Sequence, residues 1–224
     1  MSTDDGWTAA WTAKKIATQE VVETAKVIGK NLVEISRKKE LPDVTVYTTS
    51  REKISKSDFE KLAEELGEKQ DAVSFVVNLH KEALITGGAI SSSDIAGAPI
   101  GGLGDLYRAL DLPDITTYLN PRVRFILRGL EQHTRVTEVV RLDNRRYEIG
   151  RRDLPSVTIL EFDDYEVTAD SLRSRIALFG DFDAFLAANP NARITASARV
   201  VSTDTGRPVY MWGELLGALN RRWT

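Results

Sequence analysis

Cysteine is absent from the 224 residues, which removes disulfides, thiolate zinc sites, iron–sulfur clusters and cysteine nucleophiles together. Histidine is scarce, with His80 and His133 alone. A three-imidazole metal site is thereby excluded within one chain, and a Ser/His/Asp triad has two candidate bases. Neither histidine has a serine or aspartate partner at a recognisable spacing, so each is read as structural, and any metal chemistry has to rest on carboxylates. No run approaches the roughly 18 uninterrupted apolar residues of a membrane span. The first six residues, Met1-Ser2-Thr3-Asp4-Asp5-Gly6, are acidic and polar where a secretory signal is basic and then apolar. A cytoplasmic location is the expectation.

Lysine is missing from most of the chain. All 11 lysines lie between Lys14 and Lys81, and the 143 residues after Lys81 carry 17 of the 19 arginines. One explanation is a fusion of two segments with different histories. The other is selection for the guanidinium fork, which binds phosphate or carboxylate bidentately where an ammonium cannot. Both place a boundary near residues 82–104, where Thr86 to Gly104 is rich in small residues and shows no helical or strand period. The expected organisation is a lysine-bearing, mostly helical part over 1–86, a Gly/Ser-rich linker or mobile loop over 87–104, and an arginine-bearing α+β part over 105–224. No internal repeat is detected.

What is present is ordinary for a globular chain. Hydrophobic residues at 42% and charged residues at 28%, with a net charge of −3, suit a packed core that needs no staple and exclude no class of partner. Val21, Ala25, Ile28, Leu32 and Ile35 recur at spacings of four and three, which predicts one long helix from Trp7 to Lys39. A strand is expected at Val44–Thr48. A capping box at Ser57–Glu60 should open a helix bearing Phe59, Leu62, Ala63 and Leu66, with Gly67 as its stop. Alternation predicts a strand over Ala72–Leu79, with a buried helix running to Leu84 as the alternative that fits the same residues. Beyond the linker, helices are expected at Asp105–Leu110 and Pro121–Gln132, followed by a hairpin of Arg135–Leu142 and Arg145–Ile149 around Asp143-Asn144, and a strand at Val157–Phe162. Helical pieces should follow at Ala169–Phe179 and Asp181–Ala188, then strands at Arg193–Ser202 and Pro208–Met211, and a closing helix at Gly213–Trp223. The fold class is α+β, with a helical N-terminal part followed by a part built on an antiparallel sheet.

Three constellations carry candidate chemistry. The first is an arginine cluster of Arg122, Arg124, Arg128, Arg135, Arg141, Arg145, Arg146, Arg151 and Arg152, interleaved with Phe125, Tyr147 and nearby Tyr118. This composition tracks a nucleic-acid backbone and offers faces for stacking bases. The bland alternative is a solvated surface whose arginines pair with acids elsewhere. The second is the acidic run from Glu161 to Glu166, where Asp163 and Asp164 with Asp183 could hold a hard divalent ion. An acidic turn that partners the arginines is the competing explanation. The third is Gly101, Gly102 and Gly104 before a helix start, a weak phosphate-cradle signal without the Gly-Lys-Ser/Thr ending.

Tryptophans lie near both chain ends. Trp7, Trp11, Trp212 and Trp223 suit either docking of the chain ends within the chain or, together with Val21, Ile28, Leu32 and Ile35 of the apolar stripe, a subunit interface. These observations favour a non-enzymatic, self-associating binding or structural protein, of nucleoprotein or capsid type, that contacts nucleic-acid phosphates through the arginines and needs no cofactor. The alternatives are a divalent-metal-dependent enzyme acting on a phosphorylated substrate and a small adaptor or regulatory domain with a protein partner.

Overall fold

The computed structural model describes residues 6–66 and 72–223, and the chain divides into two compact units, Met1–Asn120 and Pro121–Thr224. Both are α+β. In the first unit, α1 (Trp7–Ile16) buries Thr8, Ala9, Thr12, Ala13 and Ile16, a face of mostly small side chains that lets the helix lie close to a sheet. Three β-branched segments follow as an antiparallel meander, β1 (Val22–Val27), β2 (Leu32–Arg37) and β3 (Val44–Thr49). The short β4 (Lys53–Ile54) leads into α2 (Lys56–Leu66), then β5 (Val73–Asn78), β6 (Leu84–Ile85), α3 (Gly87–Ala96), β7 (Ile100–Gly101) and α4 (Leu103–Leu110). The main sheet has the order β1-β2-β3-β5-β7, its last two pairings parallel, and β4 pairs with β6 beside it.

Alternation along the strands sends Val33, Ile35, Val46, Phe75 and Val77 to one face, where α1 and α4 supply Ile16, Leu106 and Leu110. The opposite face, with Tyr47, Val73 and Val76, packs against Phe59 of α2. Both faces of the sheet are therefore covered, as its parallel half requires.

The expected helix over Trp7–Lys39 ends at Ile16 instead. The spacing of four and three coincided with strand residues on either side of a Gly29-Lys30-Asn31 turn, and β-branched Val21-Val22 and Val33-Glu34-Ile35 favour strands. Val21, Leu32 and Ile35 are consequently core residues of this unit rather than a subunit interface, whereas Ile28, Trp7 and Trp11 are exposed. Residues 87–104 are not a linker. Thr86 caps α3 by accepting from the Ala89 N–H at 3.3 Å, and β7 extends the sheet. The capping box of α2 sits two residues earlier than expected: Ser55 N donates to Asp58 Oδ2 at 2.9 Å and Asp58 N donates to Ser55 Oγ at 3.2 Å. Gly67 and the side chain of Ala63 lie outside what is described.

The second unit runs α5 (Pro121–Glu131), β8 (Val136–Arg141), β9 (Arg146–Arg151), β10 (Leu154–Phe162), β11 (Glu166–Val167), α6 (Ala169–Phe179), β12 (Ala184–Ala187), β13 (Arg193–Ile194), α7 (Ala196–Asp204), β14 (Val209–Met211) and α8 (Trp212–Ala218). Its sheet has the order β8-β9-β10-β12-β14, antiparallel over the first three strands and parallel over the rest, with β11 pairing β13 in parallel. The sheets are thus mixed, not antiparallel. Asp181–Ala188 gives the fully buried β12 rather than a helix, because an apolar run of four between two helices fits a central parallel strand. Arg193–Ser202 gives two strand residues and then α7, opened by Thr195 accepting from the Ala198 N–H at 3.2 Å. The closing helix begins at Trp212 and stops at Ala218.

The two units have the same α-helices and strands in the same order with the same pairings, the first adding a 3-10 turn at Ile115–Thr117. Each meander has a register shift at the equivalent place in its first strand, between Val22 and Thr24 in β1 and between Val136 and Glu138 in β8, and the second has another between Leu154 and Val157 in β10. Gly97 and Gly206 turn the chain after α3 and α7 at φ 63° and 64°, a conformation that suits glycine. Pro99 O accepts from Val76 N at 2.9 Å, and Pro208 O accepts from Phe185 N at 2.8 Å. Asp105 and Glu214 each accept from the N–H of the residue before their helix, Gly102 at 2.9 Å and Met211 at 2.8 Å. The chain is a tandem repeat, which the sequence reading missed. Aligned through these turns, residues 83–110 match residues 192–219 at a constant offset, with Ile85-Thr86, Gly97-x-Pro99 and Ala109-Leu110 recurring as Ile194-Thr195, Gly206-x-Pro208 and Ala218-Leu219.

The strongest correspondence is a buried arginine at the end of the second strand. Arg37, 4% exposed, donates through Nε to Pro42 O at 2.7 Å and through Nη1 to Leu110 O and Leu112 O at 3.1 and 2.6 Å. Arg151, 6% exposed, donates through Nε to Pro155 O at 2.9 Å and through Nη1 to Leu219 O and Arg221 O at 3.5 and 2.8 Å. Burial holds both guanidinium groups below their ordinary pKa. Replacing Arg37 by Leu is expected to lower the unfolding free energy by about 2–4 kcal/mol, because several buried carbonyls lose their donor. Urea denaturation of the full chain checks this, and a loss below about 0.5 kcal/mol, the range of an ordinary surface change, would show that the clamp is dispensable.

Candidate phosphate-binding cleft

The arginines expected to form one cluster are split by the strand they flank. Arg141, Arg145 and Arg146 lie at the turn end of the β8–β9 hairpin, and Arg135, Arg151 and Arg152 at the other end, about 17 Å away for a strand of this length. Arg122, Arg124 and Arg128 are carried on α5. Several are occupied. Arg122 Nε lies 3.2 Å from Glu161 Oε2 and its Nη1 lies 2.6 Å from Asp163 Oδ2, while Arg145 Nη1 donates to Glu161 Oε1 at 2.8 Å. Arg146 donates through Nε to the buried Asp143 at 2.7 Å and through Nη1 to Asp181 O at 3.1 Å. Arg151 is the structural clamp described above. Arg124, Arg128 and Arg152 are exposed, and Arg135 stands 4.0 Å from Asp153.

Glu161 is the centre of the turn-end group, a carboxylate with no exposed side-chain surface flanked by two guanidinium groups. Tyr147 lies in the same core, fully buried. Burial, and after it the Glu161 charge, push the Tyr147 hydroxyl above its usual pKa, so it stays protonated. This is a buried ion network, not an open binding surface.

The carboxylates proposed for a metal do not converge. Asp163 is taken by Arg122, and Asp164 accepts from Arg175 Nη2 at 2.9 Å. Asp183 precedes β12, which runs parallel to β10 with Ala184 beside Ile159, so it stands at the opposite end of the sheet from Asp163. Its Oδ2 accepts from Thr158 N at 2.7 Å. Among the described residues no group of three His, Cys, Asp or Glu side chains is placed to hold a metal ion. Gly101 and Gly102 precede α4, but the Gly102 N–H is already donated to Asp105, which also accepts from Tyr118 Oη at 2.6 Å and Asn120 Nδ2 at 2.7 Å.

The open, basic feature of the second unit lies elsewhere. At the N-terminal ends of β12 and β14 a cleft of about 590 Å³ is lined by Phe182, Asp183, Gly206, Arg207, Tyr210, Arg221, Arg222 and Trp223. Its lining carries three arginines and one aspartate. Arg207 is fixed by stacking 4.6 Å from the Phe182 ring and by donating Nε to Phe182 O at 3.1 Å. Trp223 is fixed by donating Nε1 to Ala218 O at 2.8 Å, has Arg151 over its ring at 5.3 Å, and meets Tyr210 at 5.6 Å between centroids. By the repeat, Arg207, Tyr210, Arg221, Arg222 and Trp223 correspond to Ala98, Gly101, Leu112, Pro113 and Asp114 of the first unit. The cleft's charge and rings belong to the second unit alone.

Of these, sequence reasoning named Trp223 and Asp183, for other roles. Arg207, Tyr210, Arg221 and Arg222 were passed over because they lie outside the dense arginine stretch, and the parallel pairing that joins 182–183 to 207–208 was not foreseen. A second groove, of about 480 Å³, lies between Phe125, Arg128 and Trp212, where the Phe125 and Trp212 rings are 4.9 Å apart and Trp212 rests against Gly129. His133 Nε2 is 3.1 Å from Leu216 O, and its Nδ1 accepts from Arg135 N at 3.2 Å, a structural use.

No protein-family model matches the chain, and neither a curated protein nor a solved structure matches it. Replacing Glu161 by Ala is expected to cost about 3–5 kcal/mol, because Arg122 and Arg145 lose a buried counter-charge. Denaturant titration of the full chain measures it, and a near-neutral result would contradict the buried network.

Proposed function

We propose that the protein is a non-enzymatic binding protein whose second unit holds the phosphates of single-stranded nucleic acid. The observation that carries this is the cleft itself, where Arg207, Arg221 and Arg222 outnumber Asp183 and where Tyr210 and Trp223 supply ring faces. Guanidinium forks match phosphate oxygens bidentately, and aromatic rings at a cleft edge stack bases without regard to sequence. The exposed Arg128 and Phe125, which is 52% exposed, place further charge and a further ring on α5. Relative to the sequence reading, the phosphate contacts move from Arg145, Arg146 and Arg151 to Arg207, Arg221 and Arg222. Among the described residues no helix is long and apolar enough to cross a membrane.

Self-association is the second reading, and one observation favours it. Trp7 and Trp11 are four residues apart on α1, so they share a side of the helix, and they are 49% and 38% exposed. Large aromatics in such positions are enriched at interface centres.

Two measurements test these readings. Fluorescence anisotropy with labelled single-stranded RNA should show affinity that falls with salt, and Arg221→Gln with Arg222→Gln should reduce the log–log salt slope by about 1.4, two contacts at about 0.7 each. Salt-insensitive binding, or a slope unchanged in the double variant, would remove the phosphate role of the cleft. Light scattering after size exclusion should show a dimer or larger species that Trp7→Ser with Trp11→Ser converts to monomer; a wild-type monomer at all concentrations would sink the second reading.

A further inference from the structure

Resting on the phosphate reading of the cleft, we infer that it takes a single ribonucleotide, either free or as the terminal residue of an RNA strand. Asp183 points to the sugar. The exposed Asp183 carboxylate, which also feels the Arg151 charge, opposes a ligand that presents phosphate oxygens alone and favours one that also brings a donor. One of its oxygens, Oδ2, is held by Thr158 N at 2.7 Å, which orients the group and leaves Oδ1 as an acceptor. A ribose hydroxyl is such a donor, and acidic side chains recognise the ribose 2′-hydroxyl in this way elsewhere.

The remaining parts divide between phosphate and base. Arg207 has its Nε committed to Phe182 O and its plane held against the Phe182 ring, so its two terminal nitrogens are presented as a rigid fork, the arrangement that loses least entropy on binding an oxyanion. Arg221 and Arg222 approach from the chain segment that Arg151 holds through the Arg221 carbonyl. Tyr210 and Trp223 offer the apolar wall on which a base can lie, with Trp223 immobilised by its own hydrogen bond. A volume of about 590 Å³ falls within the range of small-ligand sites and admits one nucleotide but no duplex. The first unit, with Ala98, Gly101 and Ser74 at the positions of Arg207, Tyr210 and Asp183, lacks all three parts.

Isothermal titration of the full chain with AMP, dAMP, adenosine and inorganic phosphate, and with an RNA oligomer with and without a 5′-phosphate, tests the inference. AMP should bind at least about tenfold more tightly than dAMP, the low end of what one hydrogen bond to a charged acceptor contributes, and more tightly than adenosine or phosphate. Asp183→Asn should bring the AMP/dAMP ratio towards one, since its single oxygen is kept by Thr158 N; because the ratio is read within one protein, a partial loss of stability does not disturb it. Tighter binding of AMP than of the 5′-phosphorylated oligomer identifies the free nucleotide as the occupant, and the reverse identifies the RNA end. Equal affinity for AMP and dAMP in the wild type overturns the inference. RNA binding that depends on Arg221 and Arg222 but that AMP does not compete also overturns it while leaving the phosphate reading intact, whereas no binding of RNA or nucleotide overturns both.

Discussion

Each unit depends on one guanidinium that gathers carbonyls from segments far apart in sequence. A helix end leaves its last carbonyls without intrahelical partners, and the segments after α4 and α8 turn away from the sheet with theirs buried. Arg37 and Arg151 meet them with a planar fork of donors, while Nε reaches back to the proline after the second strand. The positive charge also opposes the negative end of the last helix. One side chain thereby fastens the meander, which follows the unit's first helix, to the segment after its last helix. In the second unit the same clamp lies over the Trp223 ring and fixes the wall that carries Arg221 and Arg222, so the scaffold interaction also shapes the candidate site.

The repeat separates what the fold requires from what it tolerates. The first-strand register shift, the caps, the positive-φ glycines and the arginine clamp occur twice. One buried position does not keep its chemistry. Thr48 Oγ1 lies 2.9 Å from Thr8 Oγ1 and donates to Asn31 O at 3.3 Å; the corresponding residues Glu161, Arg122 and Arg145 form the buried ion network. The main chain is nonetheless the same there, since Thr48 N donates to Asn31 O at 2.8 Å and Glu161 N donates to Arg145 O at 2.9 Å. A neutral hydrogen-bonded trio and a charged one therefore satisfy the same backbone frame. The charged version stabilises only while all its members are present, which makes it a poor place to accommodate a ligand, whereas the cleft is a place where the side chains of the two copies differ and are accessible.

How much of this was legible depended on whether a residue's signal was local. The α+β class, α5, the β8–β9 hairpin, β10 and α6 follow from spacing and turn chemistry within a dozen residues, and the structure has them. Val21–Ile35 was misread because a period of three and four over fifteen residues also arises when two strands flank a short turn; the β-branched residues and Gly29 were the signals that outweighed it. The segment from Thr86 to Gly104 looked structureless because α3 is built of small residues, Ser91-Ser92-Ser93 among them, whose helix is stabilised by the Thr86 cap and by packing Ala89 and Ile90 rather than by an apolar stripe. The cleft was illegible for a different reason: it joins residues from 182–183, 206–210 and 221–223, which only parallel pairing brings together. The repeat was legible in principle, through Ile-Thr, Gly-x-Pro and Ala-Leu at one offset, but identities this sparse become visible only when the turns they serve are known.

The division between lysine and arginine follows neither boundary alone. The lysine-free stretch begins after Lys81, inside the first unit, whereas the units meet at Asn120 and Pro121. A junction of two unlike segments therefore does not explain it, since the composition changes in the middle of a folded body. The uses to which the arginines are put explain part of it. Arg151 serves three carbonyls, Arg122 bridges Glu161 and Asp163, Arg146 joins Asp143 to the Asp181 carbonyl, and Arg207 stacks on a ring while donating to its backbone. Each needs two or more donors in a fixed plane. An ammonium is a compact, strongly hydrated point charge that could replace one of the paired contacts but not the set, so at these positions lysine would leave a carbonyl or a carboxylate unmet in a low-dielectric interior. The same planar geometry at Arg207, Arg221 and Arg222 is what the proposed phosphate role of the cleft rests on.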